Sequence, residues 1–529
     1  MTARDGRRGS RASAAHVVPA PRPARRRRGR LGVDLGAAFD LVGAVLRWIG
    51  LPFAVPAVVA LVDGTSPWPW LAGGLAASGT GVLLDRITDD RDVNRLGARE
   101  GFLVVALVWL LVPAFAAIPF LLAGEAQLAR PVDALFEAMS GFTATGATVV
   151  PAVERLDAAT QAWRQLSHWL GGMGIIVLAV AVLPRLKIGG RRLLQSELAG
   201  PTEIERLSAT IRDTARQLWS LYVGLTVVAT VALAALGWLG LDDAMDPWQA
   251  FAHASSAMAL GGFSPQGESV AAFAPVTQWL LLAVMAVAGL NFLRLFRVLV
   301  QRRVRALTRD EEVRLYVGFL LVATALLLAE LLTSRIAGGE DAVRMAAFQA
   351  VSIMTTTGFA TADYTTWGAL ATMTLLLLMF VGASAGSTGG SIKVVRHLLL
   401  FRIARSELAQ ATHRDLVVPV RVSGNVVDER ALRGVVTFVL LYLLTFALGA
   451  LGLVIDAERV GAELGAFEAI GAAASCLGNV GPAFGSAGPA GSYAGFSDLS
   501  TAILTGLMWV GRVEIVPVLV LLTRGYWRA

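Results

Sequence analysis

Thr355-Thr356-Thr357-Gly358-Phe359 closes a short apolar segment between two long hydrophobic runs, and the chain repeats that arrangement four times. The other endings read Ala144-Thr145-Gly146, Leu260-Gly261-Gly262 and Asn479-Val480-Gly481, with successive glycines 116, 96 and 123 residues apart. One such ending reads as an ordinary re-entrant turn. Four, each in the same place between spanning-length runs, read as the quarters of one ion pathway supplied by a single chain.

Composition agrees with a membrane setting. The 529 residues are 55% hydrophobic and 16% charged, with mean hydropathy +0.62, whereas soluble domains average about 45–50% apolar and about 25% charged. Apolar runs near the ~20 residues needed to span a bilayer recur throughout. None is followed by a small-residue cleavage site, so no removed signal peptide is expected. The net charge of +7 does not imply nucleic acid, because ten arginines are gathered between Arg4 and Arg30 in a Pro/Ala/Gly-rich tail. That tail reads as disordered and cytoplasmic, orienting the first span and facing anionic lipid. Cys476 is the only cysteine, which excludes an intrachain disulfide and a cysteine-based metal site.

The fold expected is an all-α polytopic membrane protein. An Arg-rich tail (1–36) leads to a two-helix hairpin with a cytoplasmic connection (37–99), and four pseudo-symmetric helix–pore helix–helix repeats follow around one central pore. The repeats occupy 100–200, 201–310, 311–425 and 426–529. Ten spans are expected: 38–62 and 67–85, then pairs at 101–123 with 165–184, 217–240 with 276–299, 315–334 with 370–402, and 432–454 with 499–523. Arg and Lys crowd the connections 185–216, 294–314 and 393–433 and the C-terminal end, so both termini are expected in the cytoplasm and the four endings are expected to enter from the outside. Repeat interfaces of this kind are where transporter ion sites lie.

Each short segment, at about 12–15 residues, cannot cross the membrane. Helix starts are marked by Pro131 with Asp133, Asp246-Pro247, Glu340-Asp341 and Glu463. Phe136, Phe251 and Phe348 precede their glycines by 10, 11 and 10 residues, while Phe467 stands 14 before Gly481. Such half-helices aim the negative ends of their dipoles at the glycine endings. Non-helical backbone at that depth is tolerated only along a cavity, and glycine allows carbonyls to turn toward a dehydrated cation.

Longer strings carry a family resemblance. They are Met139-Ser140-Gly141-Phe142-Thr143-Ala144-Thr145-Gly146-Ala147-Thr148, His168-Trp169-Leu170-Gly171-Gly172-Met173-Gly174, Gly261-Gly262-Phe263-Ser264, Thr355-Thr356-Thr357-Gly358-Phe359, Gly386-Ser387-Thr388-Gly389-Gly390-Ser391-Ile392-Lys393 and Gly511-Arg512-Val513-Glu514-Ile515. Together, over roughly residues 100 to 529, the chain resembles the Trk, Ktr and HKT potassium-transporter superfamily, most closely the bacterial TrkH branch. The resemblance implies potassium uptake across the bacterial cytoplasmic (inner) membrane and potassium ions in a filter. That filter is formed by Ala144, Thr145, Gly146, Leu260, Gly261, Gly262, Thr356, Thr357, Gly358, Asn479, Val480 and Gly481. It also implies a homodimer and a cytosolic ring of TrkA-like nucleotide-binding regulatory subunits. No organic cofactor is expected, and coupling to sodium or protons stays open beside passive flux. Relatives usually carry threonine where this chain has Ala144 and Leu260, so two hydroxyls are lost while the carbonyls remain.

The candidate gate lies in the third repeat. Gly382 to Ser391 contains four glycines among ten residues, which cannot sustain a helix. A phosphate loop is excluded because Lys393 does not directly follow a glycine and no strand precedes. A packing kink is the plain alternative. With the resemblance, Gly386, Ser387, Thr388, Gly389, Gly390 and Lys393 are expected to form an obstructing loop below the filter. Lys393 and Lys187 are the only lysines among 46 basic residues, so a slimmer point charge at the loop's end is notable, with snorkelling as the other explanation. Arg512 and Glu514 interrupt an apolar run and, two apart on a helix, face different ways. Arg512 is expected to face the pore as an electrostatic barrier while Glu514 pairs elsewhere. His168 and Asn291 are expected to make interhelical hydrogen bonds, and His253 to be structural.

Two other classes fit the sequence less well. Five scattered histidines give no metalloprotease pair and no base beside a serine, so an intramembrane enzyme is disfavoured. The channel-like subunit of an ATP-driven potassium pump shares the fourfold plan but not the Gly386–Lys393 and Arg512–Glu514 strings. A less selective potassium/sodium pathway is the remaining alternative.

Overall fold

The structure, a computed structural model, describes residues 32–88, 97–174, 211–302, 305–413 and 418–528. The Arg-rich tail up to residue 31, the 175–184 part of an expected span, and Lys187 lie outside the described residues. Helix α1 (Leu35–Ile49) starts where the Asp34 side chain accepts from Ala37 N–H. Pro52 breaks the chain before α2 (Ala54–Val62), and α3 (Trp68–Thr88) returns against α1. This is the expected hairpin, with its first arm in two pieces.

Four repeats follow. The first is α4 (Ala98–Leu122), α5 (Pro131–Phe142) and α6 (Ala158–Gly172). The second is α7 (Ile211–Trp238), α8 (Pro247–Ala259), α9 (Pro275–Ala288) and α10 (Phe292–Leu299). The third is α11 (Glu311–Thr333), α12 (Gly339–Met354), α13 (Ala369–Leu378) and α14 (Val394–Thr412). The fourth is α15 (Glu429–Val460), α16 (Ala466–Gly478), α17 (Asp498–Arg512) and α18 (Val516–Leu521). A small antiparallel pair, Arg421–Val422 with Asn425–Val426, joins the third repeat to the fourth. At three of the four junctions the second helix of one repeat packs on the short helix of the next: α6 on α8, α9 on α12, and α17 back on α5. The repeats thereby close on themselves.

The ten expected spans are not all single helices. Among the described residues five helices are long and apolar enough to cross a membrane, or six if α9 and α10 count as one span. Three of the expected spans, the second helices of repeats two to four, are broken. Helices α9 and α10 meet at 106°, because Asn291 leaves the helix and its side chain caps Leu293 and Arg294 N–H. Helix α13 stops at Leu378 and α14 begins only at Val394. Helix α17 ends at Arg512, and Glu514 and Ile515 take left-handed backbone angles of φ +61° and +58°. Arg512 and Glu514 therefore do not share one continuous helix.

Three smaller expectations also change. Helix α12 has 16 residues, longer than the expected short segments. Helix α16 starts after Gly465, so Glu463 lies outside it. Phe136 and Phe348 are fully buried, but Phe251 is 40% exposed. Standing one residue further from its glycine, it is rotated about 100° around the helix.

Candidate functional site

All four short helices end in the same backbone motif. The N–H of Thr145, Gly261, Thr357 and Val480 donates to the carbonyl of Ser140, Ser256, Ser352 and Ser475, at 2.9, 3.0, 2.8 and 2.9 Å. The preceding residue's N–H donates three residues back: Ala144 to Gly141, Leu260 to Ala257, Thr356 to Ile353 and Asn479 to Cys476. Those two bonds are a Schellman cap, which demands a left-handed residue at its fifth position. Ala144, Leu260, Thr356 and Asn479 supply it, at φ +51°, +55°, +64° and +54°. For residues other than glycine or asparagine this costs about 1–2 kcal/mol each, so surrounding packing must hold the shape.

Two residues on, Gly146, Gly262, Gly358 and Gly481 have φ +83°, +81°, +81° and +108°. Their neighbours define a ring. A methyl group placed on Gly146 would strike the Gly261 carbonyl oxygen, one on Gly262 that of Thr357, one on Gly358 that of Val480, and one on Gly481 that of Thr145. Each glycine thus abuts the carbonyl preceding the glycine of the next repeat, and the fourth returns to the first. The other residues of the endings are buried. The structure brings together all twelve residues expected at the filter.

A serine stands six residues before every central glycine, at Ser140, Ser256, Ser352 and Ser475. The sequence reading missed these, although alignment on the glycines displays them. Ser352 Oγ donates to Phe359 O at 2.6 Å and Ser475 Oγ to Gly481 O at 2.7 Å, tying each helix to its own return strand. Ser256 Oγ lies 3.4 Å from His168 Nδ1, so His168 makes the expected contact between helices. His253 bonds Gln249 O at 2.9 Å and Ser264 Oγ at 3.0 Å, a structural tie.

The glycine-rich segment lies against the ring from the side of the helix C-termini. Gly390 N–H donates to Thr356 Oγ1 at 2.8 Å, and Thr388 Oγ1 donates to Met258 O at 3.1 Å. An added methyl on Gly389 would meet Thr355 O at 2.7 Å, and one on Gly390 would meet Gly478 O. Asn291 Nδ2 donates to Ala385 O at 2.6 Å, and Ala385 N–H donates to Glu312 at 2.6 Å. Glu312 is held by Arg294, 2.8 Å away, which also faces Asp310 at 2.7 Å. Gly386 accepts from Phe292 N–H at 3.0 Å. Lys393 Nζ donates to Gly389 O, inside the loop itself.

Arg512 joins this loop to the first repeat. Its guanidinium donates to Thr388 O at 2.7 Å, to Gly171 O at 2.8 Å and to Gly172 O at 3.3 Å, with Trp109 beneath it at 5.3 Å. Glu514, as expected, pairs elsewhere, with Arg396. The loop therefore touches helices of repeats two, three and four, and through Arg512 repeat one. At the opposite, N-terminal end of α12, the Trp279 indole N–H (2.8 Å) and Arg344 (3.0 Å) hold the exposed Glu340 carboxyl below its usual range.

Four half-helices meeting in one closed ring of glycines and carbonyls define a class, the multi-span membrane proteins built from four re-entrant repeats. The family described as "TrkH: Cation transport protein" matches residues 82–525. The Trk system potassium uptake protein TrkH of Halomonas elongata is 33% identical over 498 residues, covering 94% of this chain and 100% of that protein. That of Escherichia coli K12 is 34% identical over 500 residues, covering 92% and 99%. The crystal structure of the potassium transporter TrkH from Vibrio parahaemolyticus matches with TM-score 0.81 at 31% identity, covering 94% of this chain and 100% of that one. The chain belongs to the TrkH family of cation transport proteins.

Proposed function

We propose that this protein carries potassium into the cell through the ring formed by Gly146, Gly262, Gly358 and Gly481. The observation that carries the reading is the cyclic contact of each glycine with the next repeat's carbonyl. Four helix C-termini converge there, and their partial negative charge favours a cation that has shed water. The relatives named as potassium uptake proteins support potassium as the ion.

Gly386 to Gly390 with Lys393 act as the gate, and Arg512 as its latch. This refines the barrier role expected for Arg512: the cation beside the path also grips Thr388 O and the Gly171–Gly172 carbonyls. Opening requires those bonds to break, and a cytosolic nucleotide-binding ring of the TrkA type would supply the differential binding energy. The working form is a homodimer in the bacterial cytoplasmic membrane with both termini inside. A specific observation favours a second reading, a pathway that also admits sodium: Ala144 and Leu260 bring no side-chain oxygen where Thr356 and Asn479 do.

Expression in a bacterium lacking its own potassium uptake systems tests the proposal. Growth at low potassium and saturable rubidium entry are expected, both lost in Gly262→Ala. No rescue by protein that reaches the membrane in normal amount would refute it.

A further inference from the structure

The second helices of the four repeats are equivalent when counted from their N-caps, Asp157, Ala274, Gly368 and Ser497. Seven and eleven residues on, three repeats carry the same buried pair, Leu281 with Met285, Leu375 with Met379 and Leu504 with Met508. The first repeat carries Arg164 and His168 instead, also buried. Replacing a buried ion pair by apolar residues is often neutral or stabilising, and the other three repeats use the apolar solution. Packing alone therefore does not account for the charge.

Its contacts point to the ring. Arg164 Cζ lies 4.1 Å from the centre of the Phe263 ring, and His168 stacks on the same ring at 3.9 Å with planes 7° apart. Two groups so close occupy its two faces, so Phe263, the residue after Gly262, is clamped between them. Arg164 Nε also donates to Glu137 at 2.8 Å. Glu137, nine residues before Gly146, accepts from Thr148 Oγ1 at 2.9 Å and Val149 N–H at 3.1 Å, which fastens the return strand beyond Gly146. One guanidinium thus spans the return strands of repeats one and two, the two repeats whose left-handed residues, Ala144 and Leu260, lack polar side chains.

We infer that Arg164, with Glu137, is a positioning residue for ion selectivity, fixing the repeat-one and repeat-two side of the ring at the spacing a dehydrated potassium ion needs. The inference rests on the potassium pathway proposed above. It makes the ring's selectivity depend on a stacked, hydrogen-bonded guanidinium that touches no ion.

Vesicles containing wild type, Arg164→Lys, Phe263→Leu or the doubly substituted Glu137→Gln, Arg164→Leu protein separate the possibilities. Potassium, rubidium and sodium fluxes are compared, with thermal unfolding as the control for folding. The double variant removes the buried ion pair, gives position 164 the leucine of the other repeats and is expected to keep potassium flux. Its potassium-to-sodium ratio is expected to fall about tenfold, the scale of one desolvated cation–π contact. Arg164→Lys retains charge without the planar stack and is expected to fall between. If the double variant does not fold, Phe263→Leu, which leaves the ion pair intact, is expected to show the same loss. Ratios equal to wild type in every folded variant overturn the inference. A wild-type protein with no preference for potassium overturns the underlying pathway reading instead.

Discussion

Each of the four central glycines combines a positive φ with a backbone carbonyl where a side chain would stand. At Gly262 a methyl group meets both a left-handed backbone, costing about 1–2 kcal/mol, and the Thr357 carbonyl oxygen. Gly262→Ala is expected to cut rubidium uptake more than about tenfold, since a displaced carbonyl costs more than the 1.4 kcal/mol that a factor of ten represents. Uptake at wild-type rate in the alanine variant would show that the ring does not constrain the path. Arg512 acts in the opposite direction. Its bonds to Thr388 O and Gly171 O, at 2.7 and 2.8 Å, are charge-assisted and worth about 1.5–3 kcal/mol each. Arg512→Ala is therefore expected to raise basal cation flux about tenfold or more in reconstituted protein, with lower flux at normal folding as the contrary result. The ring glycines are plain in the sequence because four repeats display them. Arg164 is not, because its singularity appears only when the repeats are aligned on helix starts rather than on glycines.

Among the elements, the broken second helices separate what composition reveals from what it hides. The interruption at 382–391 is legible because four glycines cannot hold a helix. The bend after α9 is not, since a lone Gly289 in an apolar run reads as a tolerated residue. Only the three-dimensional contacts of Asn291 reveal it as a cap and as an anchor for the loop at Ala385. Asn291→Ala removes both, and a lost N-cap alone costs about 0.5–2 kcal/mol. The melting temperature of the detergent-solubilised variant is expected to fall by several degrees, and gating by the loop to loosen. An unchanged melting curve would remove Asn291 from the loop's support. The break at Val513–Ile515 is flanked by Gly511 and by Pro517, which stands in the first turn of α18, a local stop-and-restart signal hidden by the apolar run around it. Left-handed Glu514 and Ile515 are held by tertiary contacts, among them the Glu514–Arg396 pair.

At the scale of the whole molecule, one chain builds a closed ring by placing the same Schellman-capped half-helix four times, and the sequence shows that plan through spacing alone. Side chains then differentiate the quarters. Thr356 and Asn479 bring polar groups to the left-handed position, Ala144 and Leu260 do not, and among the described residues the first repeat buries a charged clamp, Arg164 with Glu137, beside its return strand. Backbone symmetry and side-chain asymmetry together predict a potassium pathway whose selectivity is set unevenly around the ring. The decisive measurement is the flux of potassium, rubidium and sodium through purified protein in vesicles, under matched gradients and with and without a proton gradient. Potassium and rubidium flux well above that of sodium is the predicted result. Sodium flux equal to that of potassium would contradict the account.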